Sequence, residues 1–377
     1  MAVKISTDES GVFMQGIAPV INKNKKHDPN LIALPNGNRV SLTDAEYGAY
    51  VRDNFMVLNF LWIDYFSKYR DSHNMTEVME NLKKDVDDIS IEYLDRHERL
   101  LDLVRSNKFC LVDKHFAWTE EDFKRMAYFE ACKQKNKYLS KILEDSATAY
   151  TNCYGLYDLP SDVFSGINGK AVIDAGAFVG DSIDLVRDYF PDSVCYCFEP
   201  DPRNIRYLEA MYSEDIEKGK VKSFNQGLGD KPGILQLNRI ESIPQANPSS
   251  SFFYDYGGDK QGFDNRALNS SSGETDQGSV VDVKVRTIDE VVDEYNLNVG
   301  LIKMDVEGFE PQVVKGALNT LRTQRPVLAI SIYHSPEEFY ELKPFLESLN
   351  LGYKFKIRRS SGYFVPMYEI VLIAYHD

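Results

Sequence analysis

Apolar positions change their period partway along the chain. From about Tyr154 onward, short β-branched runs alternate with stretches whose apolar residues recur every three or four positions, as strands interleaved with helices do. Strands are expected at 171–175, 194–199, 221–225, 301–306, 326–333, 353–359 and 368–375, with an accessory pair at 234–240 and 280–287. Seven interleaved strands predict an α/β fold, a Rossmann-like doubly wound sheet whose last strand runs antiparallel. Residues 1–26 look like a loose polar arm, and 31–42 a small hairpin turning at Asn36-Gly37. Thr43 with Glu46 forms a capping box ahead of a long aromatic helix expected through about Phe66. Further helical stretches are expected near 75–105 and from an N-cap at Thr119 to about Asp145. The stripe Phe55, Leu58, Trp62 and Phe66 has helical spacing and belongs in a core or a domain contact.

With 377 residues the chain can support two cores. The division expected is a mainly helical domain at 1–150 and an α/β domain at 151–377. Within the second, 244–279 is an insertion rich in Asn, Ser, Gly and Asp, with Phe252, Phe253, Tyr254, Tyr256 and Phe263 interspersed. A loop of that length is functional or disordered, and its aromatics suit a flap over a substrate or a surface insertion.

A hydrophobic content of 43% with 27% charged residues is ordinary for a globular protein. The net charge of −15 disfavours a nucleic-acid partner, because phosphate neutralisation needs clustered Lys and Arg. No apolar run reaches the ~20 residues of a spanning helix, and no signal-peptide core opens the sequence. Five cysteines without metal-ligand spacing suit a reduced, cytoplasmic compartment. Cys195 and Cys197 fall on one face of a strand as buried thiols.

Two runs carry chemistry. In the first, Ala171-Val-Ile-Asp-Ala-Gly-Ala-Phe-Val-Gly-Asp181, a strand breaks into a glycine turn that would present bare N–H groups to a ligand. The next strand ends in Glu199-Pro200-Asp201, an acid placed to accept hydrogen bonds from ribose hydroxyls. The spacing is not G-x-G-x-x-G, and Phe178 stands where a pyrophosphate would approach, so NAD is disfavoured. The second run is Leu301-Ile-Lys-Met-Asp-Val-Glu-Gly-Phe-Glu310. Alternation puts Asp305 and Glu307 on one side at the carboxyl edge of the sheet, where such folds bind ligands. Lys303 would pair with a carboxylate.

The chain resembles the FkbM family of S-adenosylmethionine-dependent methyltransferases over roughly residues 154–377. The resemblance lies in Asp174-Ala-Gly-Ala with Gly180-Asp181, Phe198-Glu-Pro-Asp-Pro202, Thr287-Ile-Asp289, and Ile302-Lys-Met-Asp-Val-Glu-Gly308 with Glu310 and Gly316-Ala317. The strand 328–334 and the ending Glu369-Ile-Val-Leu372 also match. Phe178 and Phe309 depart from the residues common there. The resemblance implies the class I methyltransferase fold, S-adenosylmethionine as cofactor, and O-methylation of sugars, glycans or secondary metabolites.

In such a fold Glu199 would hold the ribose, and Asp174, Gly176, Ala177 and Gly180 would line the methionine end. Pro200 and Asp201 lie on the adenosine side, with Asn225, Gln226 and Leu228 toward the adenine edge. His334 is the expected base, ending the fifth strand beside the strand of Asp305. The capping box Ser335-Pro-Glu-Glu338 would lower its pKa through the helix dipole and keep it neutral. Asp305 and Glu307 would orient the acceptor, act as bases, or with His334 ligate a divalent cation. Arg358 and Arg359 are expected as exposed residues or as receivers of an acidic substrate. A carbohydrate or other small-molecule acceptor is expected, and a homodimer. The competing function is a cofactor-binding interaction protein acting through residues 1–150.

Overall fold

The computed structural model describes residues 4–8, 11–15, 31–33, 39–41, 55–58, 60, 62–107, 110–135, 149–239, 251–252, 279–360 and 367–376. Its centre is a seven-stranded sheet of β1 (Ala171–Ala175), β2 (Val194–Phe198), β3 (Val221–Phe224), β4 (Val299–Met304), β5 (Val327–Ser331), β6 (Lys354–Arg359) and β7 (Ile370–Tyr375). The spatial order is β6-β7-β5-β4-β1-β2-β3. The last strand enters between β5 and β6 and is antiparallel to both, while β1 to β5 are mutually parallel. That order, in which the succession of strands reverses between β1 and β4, is the class I methyltransferase architecture the sequence predicted.

Strand alternation distributes the sheet's side chains between two cores. Val172, Cys195, Cys197, Leu301, Ala329 and Ile373 pack on one face with Ile183, Val186, Phe190 and Leu208. Ile173, Phe198, Ile302, Met304, Leu328 and Leu372 face the other way, toward Val313, Val314, Leu321 and Phe339. Cys195 and Cys197 do share a face, their Sγ atoms 3.5 Å apart. The accessory strands, Gly233–Arg239 and Ser279–Arg286, pair antiparallel in a second small sheet. Among the described residues, no helix is long and apolar enough to cross a membrane.

The N-terminal region departs from expectation. Lys4–Asp8 and Gly11–Gln15 are strands rather than a loose arm, and with Cys110–Asp113 and Phe55–Leu58 they form an antiparallel sheet. The stripe at Phe55 is therefore not helical; the helix begins at Ile63 and runs to Ser72. Two helices follow, Met75–Lys83 and Asp88–Asn107, and another spans Glu120–Lys135 behind the predicted cap. There Thr119 Oγ1 accepts from Asp122 N at 3.1 Å, and Asp122 accepts from Thr119 N at 2.8 Å. Leu31–Ala33 and Arg39–Ser41 make the predicted hairpin. The insertion at 244–279 and its proposed flap lie almost wholly outside the described residues.

The helices at 63–107 have no separate core. Phe66 packs on Phe339, Tyr69 stacks on Tyr340 at 5.1 Å, and His97 stacks on Phe339 at 4.1 Å. Phe339 and Tyr340 belong to the helix Pro336–Ser348 of the α/β region. Polar groups tie the same seam. Arg358 in β6 is fully buried and pairs with Asp87 and Asp158, and Arg359 lies 3.4 Å from Asp122. Both arginines were expected at the surface or on a substrate; the strand is buried on both faces at its end, which gives each a structural partner instead.

Candidate active site

The glycine turn and the second acidic run meet at the carboxyl edge of β1 and β4. Gly176 adopts φ +78°, and a Cβ there would collide with the carbonyl oxygen of Asp305. Asp305 N in turn donates to Ala175 O at 2.9 Å. The glycine is therefore required by the crossing of two chain segments, as much as by any ligand.

The turn closes on itself. Gly176 N and Ala177 N both donate to Phe198 O at 3.0 Å, Phe178 N donates to Glu199 Oε2 at 2.9 Å, and Gly180 N donates to Ala177 O at 2.7 Å. The bare N–H groups expected from the sequence are thus engaged. An anion nest needs such groups free, so the turn suits a cofactor that brings no phosphate to it. Asp174 is fully buried, accepting from Ser182 Oγ and paired with Lys303 Nζ at 3.0 Å. That pairing with a carboxylate was expected of Lys303, whose Nζ also donates to Gly176 O at 2.7 Å. Asp174 thus holds the turn from beneath.

Glu199 ends β2 as predicted. Oε1 accepts from Asp201 N at 2.9 Å and Asn204 Nδ2 at 3.1 Å. Burial pushes its carboxyl up to about 8 despite these bonds. Asp201 caps the helix Pro202–Met211, accepting from Arg203 N at 2.8 Å, and so serves that helix rather than an open edge. Asn225 Nδ2 donates to the carbonyls of Glu199 and Pro200 at 3.0 Å, which fixes the rim. Gln226 Oε1 is buried without a partner among the described residues, an acceptor available to a ligand. Leu228 lies in the second sheet, 2% exposed.

His334 stands 1% exposed amid four carboxylates. Nε2 lies 3.6 Å from Asp305 Oδ1 and 3.7 Å from Glu307 Oε2; Nδ1 lies 3.5 Å from Glu310 Oε1 and 3.6 Å from Glu338 Oε2. Burial works to lower the imidazole pKa, but Glu307, Glu310, Asp305 and Glu369 outweigh it and the net shift is upward. This corrects the expectation of a dipole-neutralised base. The Ser335 capping box is present as predicted, yet its Glu338 carboxylate faces the ring. Burial also raises Glu307, to about 8.

Several residues around this cluster escaped sequence reasoning. Glu310 is fully buried and accepts from Val306 N at 2.7 Å and Gly308 N at 3.0 Å, shaping the turn that holds Glu307 at φ +55°. Tyr154 Oη donates to Asp305 Oδ2 at 2.7 Å. Tyr333 Oη donates to Glu369 Oε1 at 3.2 Å, and Ser360 Oγ donates to the other oxygen. Glu310, Tyr333 and Glu369 had a signal, as members of matching motifs; Tyr154 comes from a remote chain position.

Asp305, Glu310 and His334 bring ligand atoms within 4.8 Å of one another, so a cation has a geometrically feasible place here. Both oxygens of Glu310, however, already hold backbone N–H groups.

Residues 174–355 match the methyltransferase FkbM domain. Methyltransferase sdnD of Sordaria araneosa is 26% identical over 207 residues, covering 51% of this chain and 73% of that protein. Similar solved structures include the methyltransferase FkbM of Methylobacillus flagellatus KT, with 18% identity, a TM-score of 0.39, and coverage of 70% of this chain and 62% of that one. Another is Aeropyrum pernix fibrillarin in complex with natively bound S-adenosyl-L-methionine, with 13% identity, a TM-score of 0.32, and coverage of 60% and 76%. The match to the methyltransferase FkbM domain thus spans the stretch that carries the glycine turn, Glu199 and the acidic sheet edge.

Proposed function

We propose that this protein transfers the methyl group of S-adenosylmethionine to a hydroxyl of a sugar, glycan intermediate or related metabolite. The observation that carries the proposal is His334 Nε2 facing Asp305 and Glu307, at the sheet edge where Glu199 and the glycine turn also lie. Glu199 supplies carboxylate lone pairs for the ribose hydroxyls, and Gln226 Oε1 an acceptor beside it. The cofactor brings a methyl group on a cationic sulfonium, so positioning supplies much of the rate.

A hydroxyl acceptor must lose its proton as the new O–C bond forms. His334 Nε2 takes that proton, and the surrounding carboxylates stabilise the imidazolium that results. Asp305, held by Tyr154, orients the imidazole and the acceptor. A divalent cation among Asp305, Glu307 and His334 is the competing way to activate the hydroxyl. Turnover that survives a chelator would favour the imidazole.

The test begins with calorimetric titration of S-adenosylmethionine and S-adenosylhomocysteine into the protein and its Glu199→Gln variant. Binding that is lost in the variant supports the cofactor assignment, and labelled methyl transfer to pooled sugars and glycosides then tests the acceptor class. No binding by the unmodified protein would overturn the proposal in favour of an interaction role for residues 1–150.

A further inference from the structure

The surroundings of His334 include a residue that precedes the stretch matching the methyltransferase domain. Trp62 lies immediately before the helix Ile63–Ser72, yet its ring is perpendicular to that of His334 with centroids 5.3 Å apart. It also lies 5.3 Å from Tyr368 and 5.7 Å from Tyr333. Its neighbours Phe60 and Phe66 are buried at 3% and 0% exposure, whereas Trp62 and Tyr368 stay half-buried. Next to Tyr368 stands Glu369, bonded to Tyr333 Oη. The cluster therefore has two chemistries side by side: aromatic faces from Trp62, Tyr333 and Tyr368, and carboxylates from Asp305, Glu307 and Glu369.

Building on the function proposed above, we propose that Trp62 is a specificity-determining wall of the acceptor pocket. A neutral, polyhydroxylated ring lays its C–H face on the indole while its hydroxyls donate to Asp305, Glu307 and Glu369. Aromatic faces bury apolar area, and a few convergent polar groups fix orientation. A phenol would also stack, but its single hydroxyl cannot meet Glu307 and also Asp305 Oδ1, which is buried without a hydrogen bond among the described residues. An anionic ring is repelled, because among the described residues the cation at ion-pair distance from Asp305 and Glu307 is His334.

The chain has two tryptophans, so Trp118→Phe leaves Trp62 as the sole indole reporter. In the presence of S-adenosylhomocysteine, this variant is titrated with methyl glycosides of glucose, mannose, galactose and fucose, with glucuronate and catechol as controls. A saturable shift of Trp62 emission by a neutral glycoside, weakened at least about tenfold by Glu369→Gln, supports the proposal. A flat response across the glycosides, or a response to glucuronate or catechol alone, overturns it. Trp62→Ala in the otherwise unmodified protein should weaken binding of the responding glycoside about tenfold by calorimetry, with Trp62→Phe keeping part of it. Affinity for S-adenosylhomocysteine should not change. Loss of that affinity together with thermal stability in both variants would make Trp62 a packing residue and overturn the proposal. Failure of the unmodified protein to bind S-adenosylhomocysteine counts against methyl transfer itself, a result distinguishable from a glycoside failure.

Discussion

Tyr154 reaches across 151 positions of sequence to donate its hydroxyl to Asp305 at 2.7 Å. Tyr154 is buried and held at φ +49° in the segment Cys153–Asp158, so the bond is made by a constrained backbone rather than a flexible side chain. Tyr154→Phe should therefore lower kcat by about tenfold, the effect of one hydrogen bond to a charged group, while leaving cofactor affinity intact. Steady-state kinetics beside a cofactor titration checks it; equal loss of both would contradict a positioning role at Asp305.

His334→Gln keeps the ring's approximate volume but removes the proton acceptor. We expect kcat to drop by about 10²–10⁴-fold with S-adenosylhomocysteine affinity preserved. An unchanged kcat would remove His334 from the chemistry.

The pH dependence follows from the carboxylates around that ring. Because they favour imidazolium, the base becomes available only above the ordinary histidine range, and kcat/KM should rise with pH there. Glu307→Gln removes one stabilising charge, so the limb should move to lower pH. A limb that moves upward or stays fixed in that variant would mean another group titrates. By linkage, the raised imidazole contributes stability that is complete below pH ~6.5 and lost as pH rises through its folded value.

Acid should unfold the protein through the opposite sign of linkage. Burial lowers His97 to about 3, so charging it in the unfolded chain costs stability as pH falls from ~6.5 toward 3. Burial would raise Asp87, but Arg358 and Ser90 outweigh it and hold the carboxyl at about 2; its contribution, present above pH ~4, is lost as pH falls through 2. Asp87→Asn should cost about 1–2 kcal/mol near neutrality, modest because Asp87 is partly solvated and Asp158 still faces Arg358. Denaturant midpoints measured across pH test both, and a flat acid limb would contradict them.

Gly176→Ala tests the contact between the two motifs. The added methyl meets Asp305 O at a left-handed φ, so the variant should lose about 3 kcal/mol or more, or fail to fold. A stable variant of normal melting temperature would show that β1 and β4 cross more loosely than observed.

Period and motif carried the α/β half of this protein from sequence to structure. Apolar, largely β-branched runs bounded by turns marked β1, β4 and β5, because a buried parallel strand is apolar along most of its length. Asp305, Glu307 and His334 were legible since each ends a strand at the ligand-bearing edge, and Glu199 for the same reason. The aromatic stripe at Phe55 misled because its three- and four-residue spacing also fits a strand followed by a turn and a helix. Only tertiary structure decided the electrostatics of the site. The approach of Glu307, Glu310 and Asp305 to His334, with the charge of Glu369 beyond them, reverses the shift expected from a helix dipole, since carboxylates at 3.5–3.7 Å outweigh a terminal half-charge. Tertiary structure likewise brought Tyr154 and Trp62 to the acidic edge, where no local pattern could place them. Sequence specifies which face a residue takes within its own element; which distant elements share that face is fixed when the cores pack.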